Sequence, residues 1–339
     1  MNAQVNQLIG GKGVENLAHY ANTTLEYNNI ANIHAMRDSL EQLGELAMGA
    51  GHADDGTHWP RRLDETAWLE HLTLVIAASV DAAKRLLGAQ SVLVHCSDGW
   101  DRTAQVCATC QLLLDPYYRT IEGFATLIEK DWCAFGHQFA LRCGHGTAAH
   151  ADQRAPIFLQ WLDVVWQLSQ QFPTAFEFTT SLLLFLADAL HSCCFGTFLG
   201  DSERERRLEL EAPAACKSVW TYVLAHRRAY ESRVYHHHAA ALWPVASVKR
   251  VRLWEQYYCR WDSEFHPHGP SAAAWIPDFG NLAVTATTRA KNKYANAVAA
   301  ATASYMTGEA ADDDDDEDDD STDDEDPWAS AAAERGPAG

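Results

Sequence analysis

No apolar run in this 339-residue sequence is long enough to cross a bilayer. The longest strongly apolar stretch, SLLLFLADAL at 181–190, covers about half of the ~20 residues that a spanning helix needs. The start of the chain lacks the basic, apolar and small-residue pattern of a secretory signal, so no export address is expected. Basic charge is also scarce: 26 Lys and Arg stand against 46 Asp and Glu, a net −20. Thirteen of those acids lie in DDDDDEDDDSTDDED at 312–326, and without them 33 acids face 26 bases, or −7. A general nucleic-acid binder needs a cationic footprint, which this composition excludes. It leaves room for a local cationic cleft around one anionic ligand. A paired cysteine framework is missing as well. The nine cysteines are odd in number and scattered through apolar stretches, which predicts reduced thiols in a cytosolic protein.

What is present is core-forming material: 47% of residues are hydrophobic and 12 are tryptophan. That is enough for one large domain or two smaller ones. After glycine- and asparagine-rich text at 9–13 and 28–34, a helix is expected around 34–47. Asp64 or Thr66 then caps an amphipathic helix whose apolar positions, from Trp68 to Leu87, recur at three and four, and Gly88 ends it. Ser91 to His95 (SVLVH) is short and apolar between two helices, and reads as a buried parallel strand. Residues 103–114 form the next helix, stopped by Asp115-Pro116. Further helical patterns cover 119–131, 156–170, 181–192, 217–232 and 248–261. A folded domain over 1–270 is expected, followed by an Ala-rich and acidic tail over 271–339 whose acid block cannot pack.

The most informative text is VHCSDGWDRTA at 94–104. A strand that ends in a loop and opens a helix gathers backbone N–H groups around one point, and the helix N-terminus adds partial positive charge there. Such a loop cradles phosphate. A cysteine at its first position feels the same field, which lowers its pKa. An arginine six residues on can hold two phosphate oxygens with its planar fork. Cys96 and Arg102 have that spacing, and Gly99 lets the loop turn closely. Thr103 can hydrogen-bond the thiolate or steady a water. The implied chemistry is attack of sulfur on phosphorus, a phosphocysteine intermediate and its hydrolysis. Arg102 and the loop amides would stabilise charge on the equatorial oxygens.

The text HCSDGWDRTAQ resembles the signature loop of the myotubularin family of phosphoinositide phosphatases. NIHAMRDSL at 32–40, DPYYRTIEGF at 115–124, LIEKDWCAFGHQF at 127–139, PIFLQWLDVVWQLSQQFPTAFEF at 156–178, CCFGTF at 193–198 and LWPVASVKRVRLWEQYYCRW at 242–261 extend the likeness in the family's order, over roughly residues 1–265. The resemblance implies a cysteine-phosphatase (protein-tyrosine-phosphatase-like) α/β fold: a twisted, mostly parallel sheet with helices on both faces and a helix-rich C-terminal half. It implies removal of the D3 phosphate from phosphatidylinositol 3-phosphate and phosphatidylinositol 3,5-bisphosphate, with no metal or cofactor. By position, Cys96 is the nucleophile and Arg102 the phosphate clamp, while Ser97, Asp98, Gly99, Trp100 and Asp101 supply loop contacts. Asp101 is the favoured general acid and Asp98 the alternative. Arg142 matches a basic head-group position, whereas Gln138 stands where the family usually has lysine or arginine. The partners implied are lipid substrate at endosomal-type membranes, reached peripherally from the cytoplasm, and a homo- or heterodimer with another family member.

The rival functions are a non-catalytic scaffold of the same family and a phosphotyrosine phosphatase. Trp59-Pro60-Arg61 carries arginine where the latter's acid loop needs aspartate, and is expected to be an ordinary turn. Cys107-x-x-Cys110 lies on an apolar helix and reads as core packing rather than a zinc or redox pair. His236, His237 and His238 read as a surface loop, and His145 and His150 as structural. His34 and Arg37 share a helix face, where support of the active site is the role open to them. Relative to the family, the chain is expected to start partway into the phosphatase domain, without the preceding membrane-binding domain.

Overall fold

Asn32 opens the first helix, its side-chain oxygen accepting the N–H of Ala35 at 3.1 Å, the usual device for a first-turn donor. This is α1, Ile33–Ala47. In the computed structural model, residues 17–48, 58–145 and 150–260 are described. They belong to the first of the two units of the chain, Met1–Val298 and Ala299–Gly339. The glycine-rich text at 9–13 and the acidic tail lie outside the described residues.

Trp59-Pro60-Arg61 is not a turn but the start of α2, Trp59–Glu65, with Pro60 in the first turn where its missing N–H costs nothing. α3, Trp68–Leu87, follows through Ala67 at φ 56°. Its N-cap is Ala67, without a side-chain cap bond, rather than the expected Asp64 or Thr66, although the Thr66 hydroxyl accepts the N–H of Trp68 at 3.2 Å. α3 buries Trp68, Leu72, Val75, Ile76 and Ala83, and Gly88 ends it. α4, Arg102–Leu114, packs on α3 and on α7, Ile157–Gln171. Between them come α5, Ile121–Ile128, continued by a π-turn over Glu129–Ala134, and α6, Phe139–Cys143. α7 is buried on every face from Ile157 to Leu168, the mark of a helix at the centre of a core. α8, Thr180–Ser192, lies against it. Two short helices, α9 (Ala212–Ala215) and α10 (Val219–Ala225), and a last turn, α11 (Glu255–Tyr258), complete the described part. The helices expected over 217–232 and 248–261 are thus much shorter, because the text around them is held as loop by the bond of Ser232 N to the Glu177 carbonyl and that of Arg252 N to the Gln167 side-chain oxygen.

The expected α/β cysteine-phosphatase fold with a twisted parallel sheet is not what the described residues adopt. They are helical, with one isolated antiparallel bridge, Phe178 to Glu231. Ser91 to His95 forms no strand and has no regular secondary structure, and Leu93 is 83% exposed. The physical reason is that a strand exists only through ladder bonds to a neighbour. A short, continuously apolar run signals a buried strand, yet no described segment pairs with this one.

Two buried polar clusters link the helices of the core. Gln105 Nε2 donates to Gln160 Oε1 at 2.8 Å and to the Ile157 carbonyl at 3.0 Å, joining α4 to α7. Asp163 on α7 accepts from Trp68 Nε1 at 2.9 Å, Gln167 Nε2 at 2.8 Å and the Tyr258 hydroxyl at 3.0 Å. One carboxyl therefore ties α3, α7 and α11 together.

Candidate active site

α4 determines where the phosphate loop stands. Its N-cap, Asp101, makes no side-chain cap bond, so the first N–H groups of the helix stay open toward the loop. Gly99 sits at φ +87°, with empty space where a Cβ would be, so the turn is allowed by its backbone rather than by crowding. That turn brings Gly99 N–H to 3.2 Å from the Cys96 sulfur. Burial of Cys96 works against its thiolate. The hydroxyl and N–H of Thr103, with the N–H groups of Gly99 and Asp98, outweigh burial and hold the thiol below its ordinary pKa. The buried Thr103 hydroxyl has no partner besides this sulfur. Arg102 curls back over the loop, Nη2 at 3.3 Å from Ser97 Oγ and Nη1 at 3.5 Å from the Ile30 carbonyl. A cavity of about 1050 Å³ opens here, and Cys96, Ser97, Arg102 and Thr103 line it together with Asn28 to Ala31, Val92 and Val94. Ser97 and Asp98 are exposed at the loop, while Trp100 is half-buried.

The two loop aspartates are therefore not equivalent. Asp101 is buried beneath the loop. Its Oδ2 accepts Arg142 Nη2 at 2.8 Å and its Oδ1 lies 3.2 Å from His137 Nδ1. Burial would raise the pKa of this carboxyl, but hydrogen bonds from His137 and Arg142 prevail and pull it down to about 2. A group so held carries no proton to give near neutrality, which runs against its expected part as general acid. Arg142 is likewise buried, its Nη1 donating to the Gln153 carbonyl at 3.0 Å and its remaining fork turned on Asp101. The structure places it behind the loop, not on the cavity wall. Gln138 caps α6 at the same place, with a half-buried side chain.

Sequence reasoning missed His137. It is 1% exposed and stands edge-on to Trp132 and Phe139, each ring 4.8 Å away. Its Nδ1 lies 2.9 Å from the Trp100 carbonyl as well as near Asp101. The signal was its place inside LIEKDWCAFGHQF, since an imidazole between aromatic neighbours rarely sits there without a polar partner. Other candidates fall outside this site. Cys107 and Cys110 lie along α4 with thiols pushed up to about 11 by burial. His236 to His238 are exposed loop residues. His145 Nε2 donates to the Leu190 carbonyl at 2.7 Å. Arg37 donates to the Asp152 carbonyl at 2.9 Å, and His34 is exposed beside it.

A family described as the myotubularin-like phosphatase domain matches residues 1–207. The chain is 45% identical over 273 residues to the phosphatidylinositol-3,5-bisphosphate 3-phosphatase MTMR2 of Mus musculus, covering 80% of this chain and 42% of that protein. It is 43% identical over 274 residues to the myotubularin of Xenopus laevis, covering 80% of this chain and 45% of that one. The chain thus spans less than half the length of these curated relatives.

Proposed function

The chain belongs to the myotubularin-like phosphatase family, and from that premise we propose that it is a cysteine-dependent phosphoinositide 3-phosphatase. Its substrates are phosphatidylinositol 3,5-bisphosphate, the lipid in the name of the mouse relative, and phosphatidylinositol 3-phosphate. The observation that carries the reading is the Cys96 sulfur, held toward its thiolate by loop donors at the mouth of a helix N-terminus.

The Cys96 thiolate attacks the D3 phosphorus in line with the inositol oxygen. A sulfur–phosphorus bond forms as the phosphorus–oxygen bond breaks, and the leaving oxygen takes a proton. Water then attacks the phosphocysteine. Its proton returns to the carboxylate, and inorganic phosphate and the thiolate separate. Arg102 and the loop amides hold the equatorial oxygens through both steps. Asp98 is the better proton donor than Asp101. It is exposed at the loop, where a bound substrate can reach it. Asp101 is buried and tied to His137 and Arg142. Arg142 acts through Asp101 rather than on the head group.

The lipid stays in its bilayer, so catalysis takes place at a membrane surface, which we assign to endosomal-type membranes approached from the cytoplasm. No helix among the described residues is long and apolar enough to span one. Residues 1–270 form the catalytic domain, and pairing with a second family member is the assembly the family likeness favours.

Phosphate release from vesicles carrying phosphatidylinositol 3-phosphate tests the reading. Cys96→Ser is expected to lower release by at least about a thousandfold, since loss of a covalent nucleophile removes the pathway. Release that survives the substitution overturns it, and a folded wild-type chain that releases nothing selects the scaffold reading.

A further inference from the structure

Loop amides bind phosphate only if their N–H groups face it and their carbonyls face away. In a planar trans peptide the C=O and N–H point in opposite directions, and no described peptide is cis. The Trp100–Asp101 peptide is the one just before the first turn of α4. Its carbonyl points to His137, with Nδ1 2.9 Å from the oxygen. The N–H of Asp101 on the same peptide is therefore aimed away from His137, on the side where an anion meets a helix N-terminus.

His137 is built for this task. Both oxygens facing Nδ1, the Trp100 carbonyl and Asp101 Oδ1, are acceptors, so Nδ1 carries the hydrogen. The ring is wedged edge-on between Trp132 and Phe139 and cannot turn without opening the aromatic core. Its Nε2 is buried with no partner among the described residues, so polar bonding by the ring is spent at Nδ1. Arg142 fixes the other oxygen of Asp101.

We infer that His137 is a positioning residue of the phosphate loop, locking the Trp100–Asp101 peptide with its carbonyl out of the cradle and its N–H toward the bound phosphate. Without this lock the carbonyl can rotate inward, presenting an oxygen both to the phosphate and to the Cys96 thiolate. The inference rests on the phosphatase reading for its effect on turnover, but not for its effect on the thiol.

Two isosteres separate the lock from mere packing. Asn carries its amide nitrogen near the Nδ1 position of histidine, and Gln carries it near Nε2. In His137→Gln, alkylation of Cys96 by iodoacetamide, followed against pH by mass spectrometry of its peptide, is expected to shift up by about one pH unit. At neutral pH that is roughly a tenfold slower reaction. Turnover of phosphatidylinositol 3-phosphate in vesicles should fall by about tenfold with KM within about twofold, as expected when a transition-state donor is misaimed. His137→Asn should rescue both. Equal profiles for the two variants, or a wild-type profile in His137→Gln, overturn the inference. A measurement on the wild-type chain covers the case in which neither variant folds. The Nδ1 hydrogen of His137 should appear by NMR as a protected imidazole N–H that moves when inorganic phosphate is added. Its absence also overturns the inference. If the wild type releases no phosphate from lipid, the proposed function fails, and the alkylation profile still decides this point.

Discussion

Asp98 and Asp101 share one loop, yet the fold gives them opposite surroundings. Asp98 stands in solvent, while Asp101 is tied to Arg142 and His137 and held at about 2. Their amide variants should therefore fail in different ways. Asp98→Asn is expected to slow release of inositol, a poor leaving group, by about 10²–10⁴-fold, the usual worth of a general acid. It should affect an activated aryl phosphate far less, because that leaving group departs without a proton. Asp101→Asn should weaken both reactions together and cost about 3–5 kcal/mol of stability, because it leaves the Arg142 guanidinium buried without its counter-charge. Comparison of kcat for lipid and aryl phosphate checks both. A selective effect at Asp101 would return the proton to that residue. The loop's layout, Cys96 to Arg102, was readable in the sequence because it is local. The fate of Asp101 was not, because its partner Arg142 is 41 positions away.

At the scale of the elements, α3, α4, α7 and α8 were legible because apolar spacing at three and four survives in any helix that faces a core. α5 shows what spacing does not reveal. It starts beside the short turn Pro116–Arg119, and Gly123 lies directly against the Tyr117 carbonyl. A Cβ at Gly123 would collide with the Tyr117 and Tyr118 backbone, which cannot swing aside as a side chain can. Gly123→Ala should cost about 3 kcal/mol or more, above the usual range for one added methyl in a packed site. A denaturant midpoint moved at constant slope would show this, and an unchanged midpoint would mean that the turn yields. In place of the helix expected over 119–131 the chain has the turn Pro116–Arg119, α5 and a π-turn over Glu129–Ala134.

Across the whole molecule, Asp163 is the polar knot, since it holds α3, α7 and α11 at once. Burial pushes its carboxyl up to about 6 despite bonds from Trp68, Gln167 and Tyr258. Between pH ~4, where the unfolded chain releases this proton, and about 6, the folded state holds it more tightly. Its contribution to stability therefore falls as pH rises through that window. His145 works the other way. Burial lowers its imidazole to about 4, so its contribution is lost as pH falls from ~6.5 toward that value. The thermal midpoint of the wild type minus that of Asp163→Asn isolates the first effect and should decline from pH 4 to pH 6. A flat difference would mean that water reaches the site and keeps the carboxyl at its ordinary pKa.

The sequence by itself determined α3, α4, α7 and α8 and the spacing of Cys96 and Arg102 around the loop that opens α4, because each depends on neighbours within a turn or two of chain. It also determined the family, since whole motifs stand in order. Only the tertiary structure decided that Ser91 to His95 forms no strand among the described residues, that Asp101 and Arg142 lie beneath the loop, and that His137 faces the Trp100 carbonyl. Ladder bonds, buried charge pairs and a carbonyl's orientation all depend on groups brought together from distant parts of the chain, and no local pattern of residue types encodes which group arrives.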